Sequence, residues 1–99
     1  MRTPMLLAAA LALSPISSFS QDSARNLAAA CAICHGTQGK PPAGAPVIPL
    51  AGLPRDHIAS QMRAFRDGSR PATVMHQIAK GYNDAQIDAM AAWFAAQPR

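Results

Sequence analysis

Both cysteines of this chain, and one of its three histidines, fall within five consecutive residues, Cys31-Ala32-Ile33-Cys34-His35. Nothing else in the sequence narrows the possible folds so far. Two thiols three residues apart on a helix project from the same side. One rigid partner can therefore be joined to both, and the following histidine reaches that partner too. The rest of the chain explains why such a partner is needed. At 99 residues there is room for one domain. The chain is 49% apolar but only 5% aromatic, so Ala, Leu and Met carry most of the packing. A core that thin ordinarily needs a disulfide, a metal or a large internal ligand.

Residues 1–20 read as an export signal. Arg2 gives a positive start, Leu6 to Leu13 is an unbroken apolar run, and Pro15 breaks it. Ser18 and Ser20 place small residues before a cleavage point, and no acid precedes Asp22. The run is too short to span a bilayer. The alternative is a buried N-terminal helix. Cleavage after Ser20 leaves a single domain, 21–99, of 79 residues, and lowers the net charge from +4 to +3 because Arg2 is lost. Such a protein works in a periplasm. Its basic residues never form a run, which excludes a nucleic-acid arm, and its apolar content excludes charge-driven disorder.

The remaining pattern is all-α. A first helix is expected from Asp22 to Cys34, with Ala24, Leu27, Cys31 and Cys34 on one side and Gly36 and Gly39 ending it. Residues 37–54 hold five prolines and three glycines, which no regular element survives. Yet Val47, Ile48, Leu50 and Leu53 are apolar, so this loop should wrap against something apolar. A second helix is expected from Arg55 to Asp67, with Ile58, Met62 and Phe65 as its stripe and Gly68 closing it. A short helical turn through Met75, Ile78 and Ala79 follows Pro71. A last helix is expected from Asp84 to Ala96, capped by Asn83 with Gln86 and burying Ile87, Met90, Ala91 and Phe94.

The spacing C-x-x-C-H is the attachment signature of a c-type haem. Cys31 and Cys34 would bond the two vinyl edges of one porphyrin, and His35 would bring a ring nitrogen to the iron. The porphyrin, a large apolar plate, would supply the missing core. The rival readings are weaker. A zinc site wants a second pair of ligands, and a redox disulfide wants a βαβ context. The sixth iron position has several candidates, namely Met62, Met75, Met90, His57 and His76. Met62 and Met90 lie in helical stripes and read as core, and His57 reads as a surface residue. Met75 stands in an irregular approach to the last helix, where spacing alone leaves it equally a ligand or a core contact. His76 cannot point the same way on a helical turn, and reads as a surface residue.

These residues resemble those of the class I cytochromes c, over about Ala24 to Gln97. The segments Cys31 to Gly39 (CAICHGTQG), Thr73 to Tyr82 (TVMHQIAKGY) and Ile87 to Phe94 (IDAMAAWF) are most similar to the cytochrome subunit of flavocytochrome c sulfide dehydrogenase. The resemblance implies an all-α class I fold, its terminal helices crossing through Ala24 or Leu27 and Trp93 or Phe94. It implies Met75 as the second axial ligand. It also implies a prolyl carbonyl, from Pro46 or Pro49, against the ring N–H of His35. That subunit often carries two haem domains, whereas this chain has one C-x-x-C-H. With both axial positions filled, the implied function is one-electron transfer and not catalysis at the metal. The expected partner is a flavoprotein sulfide dehydrogenase subunit carrying FAD. The alternatives are a free shuttle to an oxidase or reductase, and a haem sensor or peroxidase-like protein with a weak sixth ligand. Arg63, Arg66 and Arg70 share a helical spacing and are read either as a solvated face or as partners for haem propionates or an acidic protein.

Overall fold

The computed structural model describes residues 2–5 and 17–99; the apolar run and Pro15 of the expected export signal lie outside the described residues. Five helices follow in order, α1 (Ser17–Ala29), α2 (Ala32–His35), α3 (Arg55–Asp67), α4 (Met75–Ala79) and α5 (Asp84–Ala95). Among the described residues there is no strand, only an isolated bridge between Thr37 and Lys40. The all-α expectation therefore holds.

The first expected helix is two. Helix α1 covers Ser17–Ala29, so helix extends upstream of the expected start at Asp22. It ends at Ala29, and the Cys31 N–H turns back to the Ala28 carbonyl at 3.0 Å. This tighter i−3 bond is a common way for a helix to finish. One turn, α2, then restarts from the Cys31 carbonyl, which accepts from His35 N at 2.8 Å. Cys31 thus stands in the break between the two helices, and Cys34 lies within α2.

Helix α5 is the centre of the packing. It contacts both α1 and α3, and α4 rests on α3. Ile87, Met90, Ala91 and Phe94 are buried on its inner side, as the stripe requires. Ala28 joins them from α1 and Ile58 and Ala59 from α3, with Leu27 and Trp93 packed against the cluster. The terminal helices therefore meet as expected, with Ala28 at the contact as well. Among the described residues, six of the ten buried apolar residues are alanines. Small side chains let the helices approach closely but bury little area each. The larger side chains are spent elsewhere.

Helix starts and stops follow local chemistry. The Asn83 side chain accepts from Gln86 N at 2.8 Å, and the Gln86 side chain accepts from Asn83 N at 2.9 Å, completing the capping box. Helix α3 ends at Gly68 with φ 85°. The long loop is pinned at both ends. The Gly39 carbonyl accepts from Leu50 N and Ala51 N, and Gly52 N donates to the Phe94 carbonyl at 2.9 Å.

Two of the three arginines, partly exposed to solvent, are engaged by carboxylates of α5. Arg63 donates to Asp84 at 3.2 Å and to Asp88 at 2.7 Å, and Arg66 donates to Asp84 at 2.6 Å and to the Tyr82 carbonyl. They clamp α3 to the first turns of α5. The Arg66 guanidinium, then that of Arg63, hold the Asp84 carboxyl below its ordinary value. Arg63 is correspondingly raised, chiefly by Asp88. A depressed carboxylate contributes stability above its unfolded pKa and loses it as pH falls through the folded value. Thermal melts from pH 7 downward should therefore show an acid-dependent fall beginning near the usual carboxylate range of about 4. Asp84→Asn should flatten that fall, and so should high salt. An unchanged acid limb in Asp84→Asn would remove this pair from the account.

Candidate cofactor site

Most of the larger apolar side chains surround a cavity of about 960 Å³, which shares Ile58, Met90 and Phe94 with the core. That is at the upper end of small-molecule sites, roughly 300–1,000 Å³. Cys31, Cys34 and His35 enter from the break after α1, and Val47, Ile48, Leu50 and Leu53 from the loop. Ile58, Met62 and Phe65 come from α3, and Met75 and Ile78 from α4, with Met90 and Phe94 beneath them. The loop's apolar residues thus wrap against the same space, which is why a stretch rich in proline and glycine keeps them.

The motif's side chains are differently placed. Cys31 is partly buried, Cys34 is exposed, and the two sulfurs are free thiols. Burial, and then the neighbouring Cys34, push the Cys31 thiol above its ordinary value. Among the described residues no strand supplies the βαβ context that a redox disulfide wants. Among the described residues no group of three or more His, Cys, Asp or Glu could hold a metal ion.

His35 Nδ1 lies 2.8 Å from the Ile48 carbonyl oxygen. The carbonyl accepts, so Nδ1 carries the proton and Nε2 keeps its lone pair for a metal. This corrects the expectation of a prolyl carbonyl: neither Pro46 nor Pro49 supplies it. A residue before proline is confined to the extended region, so Pro49 acts on the geometry by restricting how Ile48 turns its carbonyl.

The cavity alone does not select a sixth ligand, since Met62, Met75, Met90 and His57 all line it. Packing separates them. Met90 is 3% exposed within the core cluster, and Met62 packs against that cluster, whereas Met75 belongs to neither group. Met75 opens α4 directly after the irregular Val74. His57, read from the sequence as a surface residue, is exposed and also lines the cavity. His76 does not line the cavity; its Nδ1 is buried without a hydrogen-bond partner, so it is less of a surface residue than expected. An apolar cavity, two thiols at its edge, an imidazole with its outer nitrogen tied and a thioether together fit a haem.

No family model matches the chain. Individual proteins do. It is 44% identical over 70 residues to the thiosulfate dehydrogenase electron acceptor of Thiomonas intermedia, covering 69% of this chain and 31% of that protein. It is 39% identical over 69 residues to the cytochrome subunit of sulfide dehydrogenase of Chlorobaculum tepidum, covering 69% of this chain and 60% of that one. Cytochrome c-554(548) of Halomonas halodenitrificans is 37% identical over 71 residues, 68% of this chain and 83% of its own length. The chain spans about a third of the Thiomonas protein and less than two thirds of the Chlorobaculum one. These relatives imply a covalently bound haem c. With a strand-free helical fold built around such a cavity, and with a relative matched over most of its length, the chain belongs to the class I cytochromes c.

Proposed function

We propose that this chain is a periplasmic electron carrier with one haem, held through thioethers from Cys31 and Cys34 and ligated by His35 and Met75. The observation that carries the reading is the His35 Nδ1–Ile48 carbonyl contact at 2.8 Å, on the wall of a cavity that Cys31, Cys34 and Met75 also line. When bound, the haem supplies a one-electron Fe(III)/Fe(II) couple. The chain's residues set its behaviour. Ile48 fixes the tautomer of His35 and increases its basicity as a ligand. A neutral thioether from Met75 favours the reduced metal. The apolar wall of Leu50, Leu53, Ile58 and Phe65 excludes water and disfavours the extra charge of the oxidised form.

The electron donor is a sulfur-oxidising dehydrogenase, and the first choice is an FAD-bearing sulfide dehydrogenase subunit that binds this chain. The name of the Thiomonas relative favours a second donor, a thiosulfate dehydrogenase. No described helix is long and apolar enough to cross a membrane, and export rests on the first twenty residues. Periplasmic expression followed by mass spectrometry tests the haem. The expected product is a red protein carrying one haem mass, with both thiols consumed. A colourless protein with two free thiols overturns the reading. Stopped-flow reduction by each dehydrogenase then separates the donors.

A further inference from the structure

The cavity wall carries six side chains that can hold or lose a proton. Cys31 stands in the break after α1, Cys34 and His35 on α2, His57 on α3, Arg70 beyond the end of α3 and Tyr82 beyond α4. The long loop and α5 contribute only apolar side chains to the wall, and no carboxylate lines it among the described residues.

Under the haem reading five of the six are accounted for. Thioethers hold no proton, and His35 is tied at one nitrogen and given to the metal at the other. A guanidinium stays charged, and phenols lose their proton only near pH ~10. His57 remains, and imidazole is the side chain that exchanges a proton under physiological conditions. Its residue is exposed, so solvent can supply that proton. On its own helix the neighbouring Arg55 and Asp56 pair with each other at 3.4 Å, and the His57 carbonyl accepts from Ser60 Oγ at 3.0 Å. Among the described residues no carboxylate lies within ion-pair distance of the ring.

We propose that His57 takes up a proton as the haem is reduced, so that each electron moves with a fraction of a proton. The proposal rests on the haem reading above. The electron comes from the donor and the proton from solvent, and both leave again on oxidation. Reduction removes one positive charge from the metal, which lessens its repulsion of an imidazolium on the wall. By reciprocity, the protonated ring favours the reduced metal by the same factor. Solvent screens an exposed ring, so the expected factor is about threefold, or ~28 mV at ~59 mV per decade for one electron.

The test follows the reduction potential of the purified holoprotein from pH 5 to pH 8. The wild-type potential should fall with rising pH, and His57→Gln should lose ~28 mV of that fall, the threefold factor at ~59 mV per decade. His57→Lys keeps a positive charge and should hold the acid-side potential up to pH 8. A pH-independent wild type overturns the proposal. So does an undiminished fall in His57→Gln, which would give the proton to the haem propionates or to His76. The wild type alone supplies a second measurement, the nuclear magnetic resonance titration of the His57 ring in each oxidation state. Half-titration should need about threefold less free proton in the reduced protein, and coincident curves overturn the proposal. A colourless wild-type protein would instead sink the haem reading itself.

Discussion

Replacing Met75 with alanine should abolish the sulfur-to-iron charge-transfer band of the ferric protein and lower its reduction potential. The expected fall is on the order of 100 mV or more, a fraction of the ~0.8 V that axial ligands span. The reasoning starts from packing. Met62 and Met90 contribute to the core cluster, so turning either toward a metal would remove a contact with Ile58, Ile87 or Phe94. Met75 has no such commitment and begins a five-residue helix that rests on α3. His76, one residue on, is rotated about 100° around a helix of 3.6 residues per turn, away from the same target. Met75→Ala should also bind cyanide readily, because the sixth position opens. Persistence of the band in Met75→Ala would transfer the role to another methionine. Absence of the band from the wild type would favour a sensor or peroxidase-like protein.

The second large effect is on folding. Gly36 follows the histidine with φ 83° and ψ 166°, a region that essentially only glycine occupies, at a cost of about 1–3 kcal/mol for other residues. A Cβ there would also lie 2.2 Å from the Lys40 carbonyl oxygen and 2.6 Å from Pro41 Cα. Both are backbone atoms, so the turn itself must shift. Gly36→Ala should therefore cost at least ~3 kcal/mol, and should lower Tm by on the order of 15 °C in a domain this small. Gly44 is the control: its φ is also 83°, but a Cβ there meets nothing within 4 Å. Gly44→Ala should cost strain alone. Melts followed both by far-ultraviolet dichroism and by haem absorbance check this, and equal midpoints for the two variants would contradict the contact at Lys40.

Much of this was legible in the sequence because it depends on short-range chemistry. The Asn83/Gln86 pair, the Arg55–Asp67 helix with its terminal glycine and the stripe of α5 all follow from residues within a few positions of each other. The Cys31 to His35 cluster was equally plain, as was the apolar content of the loop. What escaped depends on distant partners. The break at Ala30 is not signalled by proline or glycine, because the helix yields there to tertiary geometry. The carbonyl facing His35 comes from thirteen residues away, and spacing cannot say whether Ile48 or a neighbouring proline supplies it. The three arginines share one helical spacing, and only the position of α5 sorts two of them from the third. His57 is exposed, as its reading as a surface residue expects, and only the packing of α3 shows that it lines the cavity as well.

The Gly52–Phe94 bond ties the loop to the far end of α5, and the same loop presents its Ile48 oxygen to the imidazole. The orientation of that ring is therefore anchored at the C-terminal end of α5, and with His35 as the proposed iron ligand the electron affinity of the metal would be anchored there too. Anything that frays the last turn of α5, a trimmed tail or a docked protein prising it open, would be felt electronically on the other side of the molecule.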